Sequence, residues 1–107
     1  MNLPFPIQAY FDADKSNDRQ ALVHAFAPEG AVTDEGQSHV GRQAIDAWWH
    51  DAKAKYQHLI EPLEASDTDD ATRVRARVTG QFPGSPALLT FMFRLKGGQI
   101  TGLEIGG

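Results

Sequence analysis

Apolar residues in the first half of the chain recur at spacings of three and four, and after Tyr56 they alternate with polar ones, so helices should give way to strands. Ile7, Tyr10, Phe11 and Asp14 mark a first helix from Pro6 to Lys15, with Pro4 and Pro6 suited to its first turn. Ser16-Asn17-Asp18 breaks it. Asn17 then reads as the N-cap and Gln20 as the reciprocal capping residue of a second helix, whose stripe is Leu22, Val23 and Phe26. Pro28 and Gly30 should end that helix. Ala31 to Asp34 reads as a short strand, returning through Glu35-Gly36-Gln37 to Ser38-His39-Val40. Gly41 opens the longest helix, with Ile45, Trp48, Trp49, Ala52 and Tyr56 on its apolar face.

Three turn signals divide the remainder into four strands: Ser66 to Ala71, Phe82 to Pro86, and Gly97-Gly98, the last suited to a two-residue hairpin loop. Consecutive strands should pair antiparallel. Val74, Ala76 and Val78 alternate with Arg73, Arg75 and Arg77, so one face is apolar and the other basic. The arginines should pair with Glu61 and Glu64 of the preceding strand, on a face turned to solvent or to another subunit. Helices from the N-terminal half must cover the apolar face, which makes the protein α+β.

Composition narrows the functional classes. A chain of 107 residues forms one domain, 1–107, with a core of its own. The net charge of −4 argues against a nucleic-acid partner, since phosphate binding draws on clustered Lys and Arg. There is no cysteine, hence no thiolate nucleophile and no disulfide, which fits a reducing compartment and makes the cytoplasm the default location. The N-terminus lacks the basic and apolar regions of a signal peptide, and the most apolar run, Ala87 to Phe93, is too short to span a bilayer, so no membrane partner is expected. No phosphate loop or dinucleotide fingerprint appears, so no cofactor is expected. His24, His39, His50 and His58 lack the spacing of a helical metal site, and no metal is expected.

Three segments carry a resemblance: Tyr10 to Asp18, Phe26 to Asp34, and Gly41-Arg42-Gln43-Ala44-Ile45. Their order and separation resemble the SnoaL-like and ketosteroid-isomerase-like branch of the nuclear transport factor two-like superfamily, and the likeness runs over the whole chain. It implies a cone-shaped fold with three N-terminal helices packed on one curved antiparallel sheet around an apolar pocket. It also implies a homodimer and a small hydrophobic molecule as partner. In ketosteroid isomerases a tyrosine and a protonated aspartic acid donate hydrogen bonds to the developing enolate while a second aspartate moves the proton. By the resemblance Tyr10 takes the tyrosine position and Asp34 the proton-shuttle position. The remaining donor falls on Thr90, Phe91 or Met92, none of which is an acid, so the resemblance implies an incomplete donor pair. A polyketide-cyclase-like reaction depends on that pair less.

The candidate catalytic residues are therefore Asp34, Tyr10 and His39, and the candidate ligand contacts are Trp48, Tyr56, Phe91 and Leu103. Each has a plainer reading. Turn chemistry alone explains Asp34 beside Glu35, Tyr10 suits a core, and His39, which returns from the turn carrying Asp34, suits a surface. Trp48 and Trp49 diverge by about 100° around their helix, so they cannot serve one neighbour. The functional expectation is an isomerase, cyclase or lyase that moves a proton through Asp34 on a carbonyl-bearing substrate. The alternative is a non-catalytic small-ligand-binding or protein-interaction module on the same architecture.

Overall fold

A computed structural model describes residues 1–107. Helix α1 (Phe5–Ser16) is followed by α2 (Arg19–His24), the strand pair β1 (Phe26–Asp34) and β2 (Gln37–Val40), and helix α3 (Arg42–Tyr56). Four strands complete the chain: β3 (Leu59–Asp67), β4 (Thr72–Thr79), β5 (Ala87–Lys96) and β6 (Gln99–Gly106). Two helices thus precede the first hairpin and the third follows it.

The boundary between the first two helices differs from the expectation. Asn17 ends α1 in the left-handed conformation, at φ 56°, a state that asparagine tolerates. Asp18, in an extended conformation, is the N-cap of α2 and accepts a hydrogen bond from the Ala21 amide. Nor does α2 run to Pro28. It stops at His24, and Phe26, Pro28 and Gly30 all belong to β1. Pro28 is accommodated because the pairing of β1 with β6 shifts register between Phe26 and Ala31. Gly30 is required there: a Cβ would lie 3.0 Å from the Ile100 carbonyl oxygen and 3.1 Å from that of Ala27.

The six strands form one sheet in the order β2-β1-β6-β5-β4-β3. The four C-terminal strands pair antiparallel in sequence order, as their turns predict. The sheet as a whole is not antiparallel, however, because β1 pairs parallel with β6. Local turn chemistry cannot reveal that contact, since a parallel pair needs a long connection, and here the hairpin, α3 and the β3–β5 meander supply it.

On the inner face of the sheet lie Val74, Ala76, Phe91 and Phe93, buried under α1 and α3 with Ile7, Tyr10, Phe11, Leu22 and Ile45. The rings of Tyr10, Phe11, Phe26, Phe91 and Phe93 meet edge-to-face at centroid distances of 5.3 to 6.0 Å, a geometry their quadrupoles favour. On the outer face Arg77 pairs with Glu61 at 2.8 Å, as expected. Arg75 stands opposite Glu64 in register but donates to the Thr90 hydroxyl at 2.6 Å. No helix is long and apolar enough to cross a membrane.

Candidate active site

Helices α1 and α3 do not cover the whole inner face. Between them and the sheet lies a cavity of about 720 Å³, within the size range of small-molecule sites. Its wall is mostly apolar, with Ile60, Val78, Leu89 and Phe91 from the sheet and Trp48 from α3. Phe82 and Pro83 from the turn before β5, and Gly106-Gly107 at the chain end, border the same space. A cleft of about 370 Å³ between α2 and α3, lined by Arg19, Arg42 and Asp46, has a single apolar side chain in its wall and suits an apolar ligand poorly.

Asp34 ends β1 at the cavity, half-buried, and its Oδ2 accepts a 3.0 Å hydrogen bond from the Trp48 indole N–H. The turn beyond it is tight, with Glu35 at φ 53° and Gly36 at φ 75°. Burial pushes the Asp34 carboxyl above the ordinary carboxylate range, and the neighbouring Glu35 charge adds to this. The Trp48 hydrogen bond, which favours the ionised form, opposes the shift without cancelling it. The result is an acid whose anion is poorly solvated, hence a stronger base than a carboxylate in water.

Tyr10 lies in α1 and is both core and cavity wall. Its ring is packed among phenylalanines, and its residue lines the cavity. The side chain is only 1% exposed, the residue lies in the cavity wall, and the hydroxyl makes no hydrogen bond to the protein. Burial, then the charges of Asp14 and Asp34, hold the phenol well above its usual pKa. It is a neutral donor at any ordinary pH.

Trp48, Tyr56 and Phe91 also line the cavity, Tyr56 donating from its hydroxyl to Glu35 at 2.9 Å. Of Thr90, Phe91 and Met92, only Phe91 does so, because strand alternation turns the other two outward. Two sequence candidates are placed elsewhere. Leu103 is core: it stands beside Val32 and Phe93 in the sheet, beneath α1, whereas Ile105, two residues nearer the open end, reaches the cavity. His39 lies on β2 outside the wall, its ring 6.1 Å from that of Trp48, and acts on Asp34 only through its nearby charge.

A second ionisable cluster escaped the sequence reading. Asp14 in α1 is only 1% exposed. Its Oδ1 accepts from the Trp49 indole at 2.8 Å and contacts His58 Nε2 at 2.9 Å, and its Oδ2 lies 3.3 Å from Lys53 Nζ. Burial alone would raise its pKa, but the hydrogen bonds from His58 and Trp49 and the positive charges of His58 and Lys53 together take it below the usual value. His58 belongs to the cavity wall as well. A signal existed: Asp14 stands seven residues after Ile7, on the stripe that otherwise carries the buried face of α1, where an unpaired carboxylate would be costly.

Comparison with known proteins agrees with this architecture. The SnoaL-like domain family matches residues 7–103. No curated protein sequence matches the chain. Among solved structures, a protein from Sinorhizobium meliloti provisionally named a polyketide cyclase is 48% identical, with a TM-score of 0.94 over 96% of this chain and 94% of that one. A Catenulispora acidiphila protein with a ketosteroid isomerase-like fold, solved with trimethylamine, is 22% identical, with a TM-score of 0.85 over 99% and 87%. SalBIII, an epoxide hydrolase/cyclase-like enzyme with a role in pyran ring formation in salinomycin, is 18% identical, with a TM-score of 0.81 over 94% and 86%. With the family matched over nearly the whole chain and the fold shared with these structures, the chain belongs to the SnoaL-like family.

Proposed function

We propose that this SnoaL-like domain is an enzyme of the isomerase, cyclase or lyase kind, acting on a small hydrophobic carbonyl-bearing molecule with Asp34 as its base. One observation carries the reading: a half-buried carboxyl with a raised pKa in the wall of a mostly apolar cavity. The polyketide cyclase name borne by the Sinorhizobium meliloti protein and the cyclase-like role of SalBIII point the same way.

The chemistry follows from the geometry. The Asp34 carboxylate removes a proton from the carbon next to the carbonyl, and the electron pair moves onto the carbonyl oxygen. Tyr10, kept neutral by burial, donates a hydrogen bond to that oxygen. Asp34 then returns the proton to a different carbon in an isomerisation, or the enolate carbon attacks an electrophilic carbon of the same molecule and closes a ring. The Trp48 indole steadies the carboxylate at the apolar wall.

The test is Asp34→Asn, assayed on a cyclic β,γ-unsaturated ketone by the absorbance of its conjugated product, and on an open-chain polyketone ester by ring formation. Positioned acid–base action contributes roughly 10² to 10⁴ in rate, and the variant should lose that factor while keeping its fold. Wild-type turnover of both compounds by the variant would end the proposal. The second reading, a non-catalytic small-ligand-binding or protein-interaction module, draws on Phe91, an apolar side chain facing the cavity where a second acid would be needed to complete the donor pair.

A further inference from the structure

The cavity wall holds a titratable ring that the proposed reaction has not used. His58 lies between α3 and β3, held through both its ring and its backbone. Nε2 is 2.9 Å from Asp14 Oδ1, and its backbone carbonyl accepts from Lys53 Nζ at 2.6 Å. The segment before it is fastened by the Gln81 amide, which donates to the Tyr56 carbonyl at 2.7 Å. Gly80 packs so closely that a Cβ would lie 2.7 Å from the Tyr56 carbonyl oxygen and 3.2 Å from the His58 Cα. Nδ1, by contrast, makes no hydrogen bond to the protein and is not sealed off, and the residue lines the cavity that Asp34 and Tyr10 also line. One edge of the imidazole is thus committed to a buried carboxylate while the other has no partner in the protein.

We infer that His58, oriented by Asp14, is a second acid of this cavity, and that the substrate therefore carries a second oxygen, within reach of His58 Nδ1, besides the carbonyl whose neighbouring carbon meets Asp34. The inference rests on the proposed proton transfer and names the substrate class more closely: a dicarbonyl or hydroxy-carbonyl compound. Asp14 is ionised, so it accepts and never donates, and Nε2 must carry a hydrogen. The tautomer is thereby set, and the free edge Nδ1 is a lone pair when the ring is neutral and an N–H donor when it is protonated.

In ring closure Asp34 gains the proton of the acidic carbon, a carbon–carbon bond forms as the second carbonyl π bond breaks, and the resulting alkoxide takes a proton from His58 Nδ1–H. The ring is left neutral and still donating to Asp14, and solvent returns one proton from Asp34 to His58. Active enzyme thus needs Asp34 as the base and a proton on His58 Nδ1 as the acid. The titratable groups near the ring are Asp14, in contact with Nε2, Lys53, whose Nζ meets Asp14 and the His58 carbonyl, and Tyr10, Tyr56, Asp34 and Glu35 around the cavity.

The variant is His58→Gln, because the glutamine amide nitrogen can stand where Nε2 stands and keep the bond to Asp14, while nothing replaces Nδ1. The expected result is a fall in kcat/KM of about a hundredfold or more on the open-chain polyketone ester, with a loss of urea stability well short of that of Asp14→Ala because the bond to Asp14 is kept. Full activity in this variant would overturn the inference. A readout free of turnover is the ¹⁵N spectrum of the wild-type histidines titrated with 2-naphthol, a planar enol mimic. The His58 Nδ1 resonance should move while Nε2 stays that of a protonated nitrogen, and an unmoved Nδ1 in a titration that saturates the cavity would overturn it as well. The two readings fail separately: Asp34→Asn with full turnover removes the base, whereas a shifted Nδ1 and the loss of activity in His58→Gln still place an acid at His58.

Discussion

Two aspartates in this protein are each held by one of two adjacent tryptophans, and they are driven in opposite directions. Asp34, at the end of β1, receives the Trp48 indole N–H and faces an open cavity, and its pKa rises. Asp14, inside α1, receives the Trp49 indole N–H together with His58 and Lys53, and its pKa falls. Burial acts on both in the same sense, so the number and charge of partners decides the outcome. A buried carboxylate with three partners is a structural anion. A half-buried one with a single neutral side-chain donor is left with basicity to use. The angle of about 100° between consecutive helical residues is what lets α3 reach both acids from neighbouring positions.

The largest expected effect separates the two acids by stability. Asp14→Ala leaves the Trp49 and His58 donors without their acceptor in the core, and breaking a buried ionic cluster in this way costs about 3 to 5 kcal/mol. Asp34→Ala, which removes a carboxylate the fold holds at some cost, should change stability by less than about 1 kcal/mol. Urea unfolding of the two variants side by side checks this, and equal losses would erase the distinction.

The tryptophans sharpen it next. Trp49→Phe loses a hydrogen bond to a buried charge and part of a packed ring, at a cost of about 2 kcal/mol or more. Trp48→Phe should cost less than half of that, but it removes the donor that favours ionised Asp34. The acid limb of the kcat/KM profile should then move to higher pH, and a limb that stays in place would detach Trp48 from the catalytic acid.

The smallest effect is the pH dependence of stability, in which the signs oppose. Asp14, lowered from 3.8, contributes stability that is fully present above that value and is lost as pH falls through its lowered native value. Asp34, raised from 3.8, is the reverse: the fold favours its protonated form, and stability declines as pH rises from 3.8 through the raised native value. Acid unfolding of Asp34→Asn should therefore lack a small decline above pH 3.8 that the wild type shows. Carboxyl ¹³C titration in the native protein gives the same order directly, with Asp34 titrating above Asp14.

Much of the fold was legible because its signals are local. A period of 3.6 against a period of 2 divides helices from strands, and turn residues such as Gly97-Gly98 break the sheet into strands of known sense. The third helix, opened by Gly41 and carrying Ile45, Trp48 and Trp49 at helical spacing, formed as its pattern requires. Asn17 and Asp18 show the limit, since both residue types serve either helix end and only the backbone conformation each adopts assigns them. Pro28 and Gly30 show it again: they read as helix stops, yet they sit at an irregularity in a strand whose partner lies some seventy residues away.

What the chain determined alone is therefore the set of elements and the residue types available for chemistry, because helix and strand periodicity act over a few residues. Tertiary structure decided which of those residues share a wall. The parallel pairing of β1 with β6, and the packing of α1 and α3 over the sheet, bring Asp34, Tyr10 and His58 to one cavity and leave His39 and Leu103 outside it. It also decided that Asp14 and Asp34, the same residue type, differ in basicity. Desolvation and hydrogen bonding depend on neighbours distant in sequence, and no local pattern encodes them.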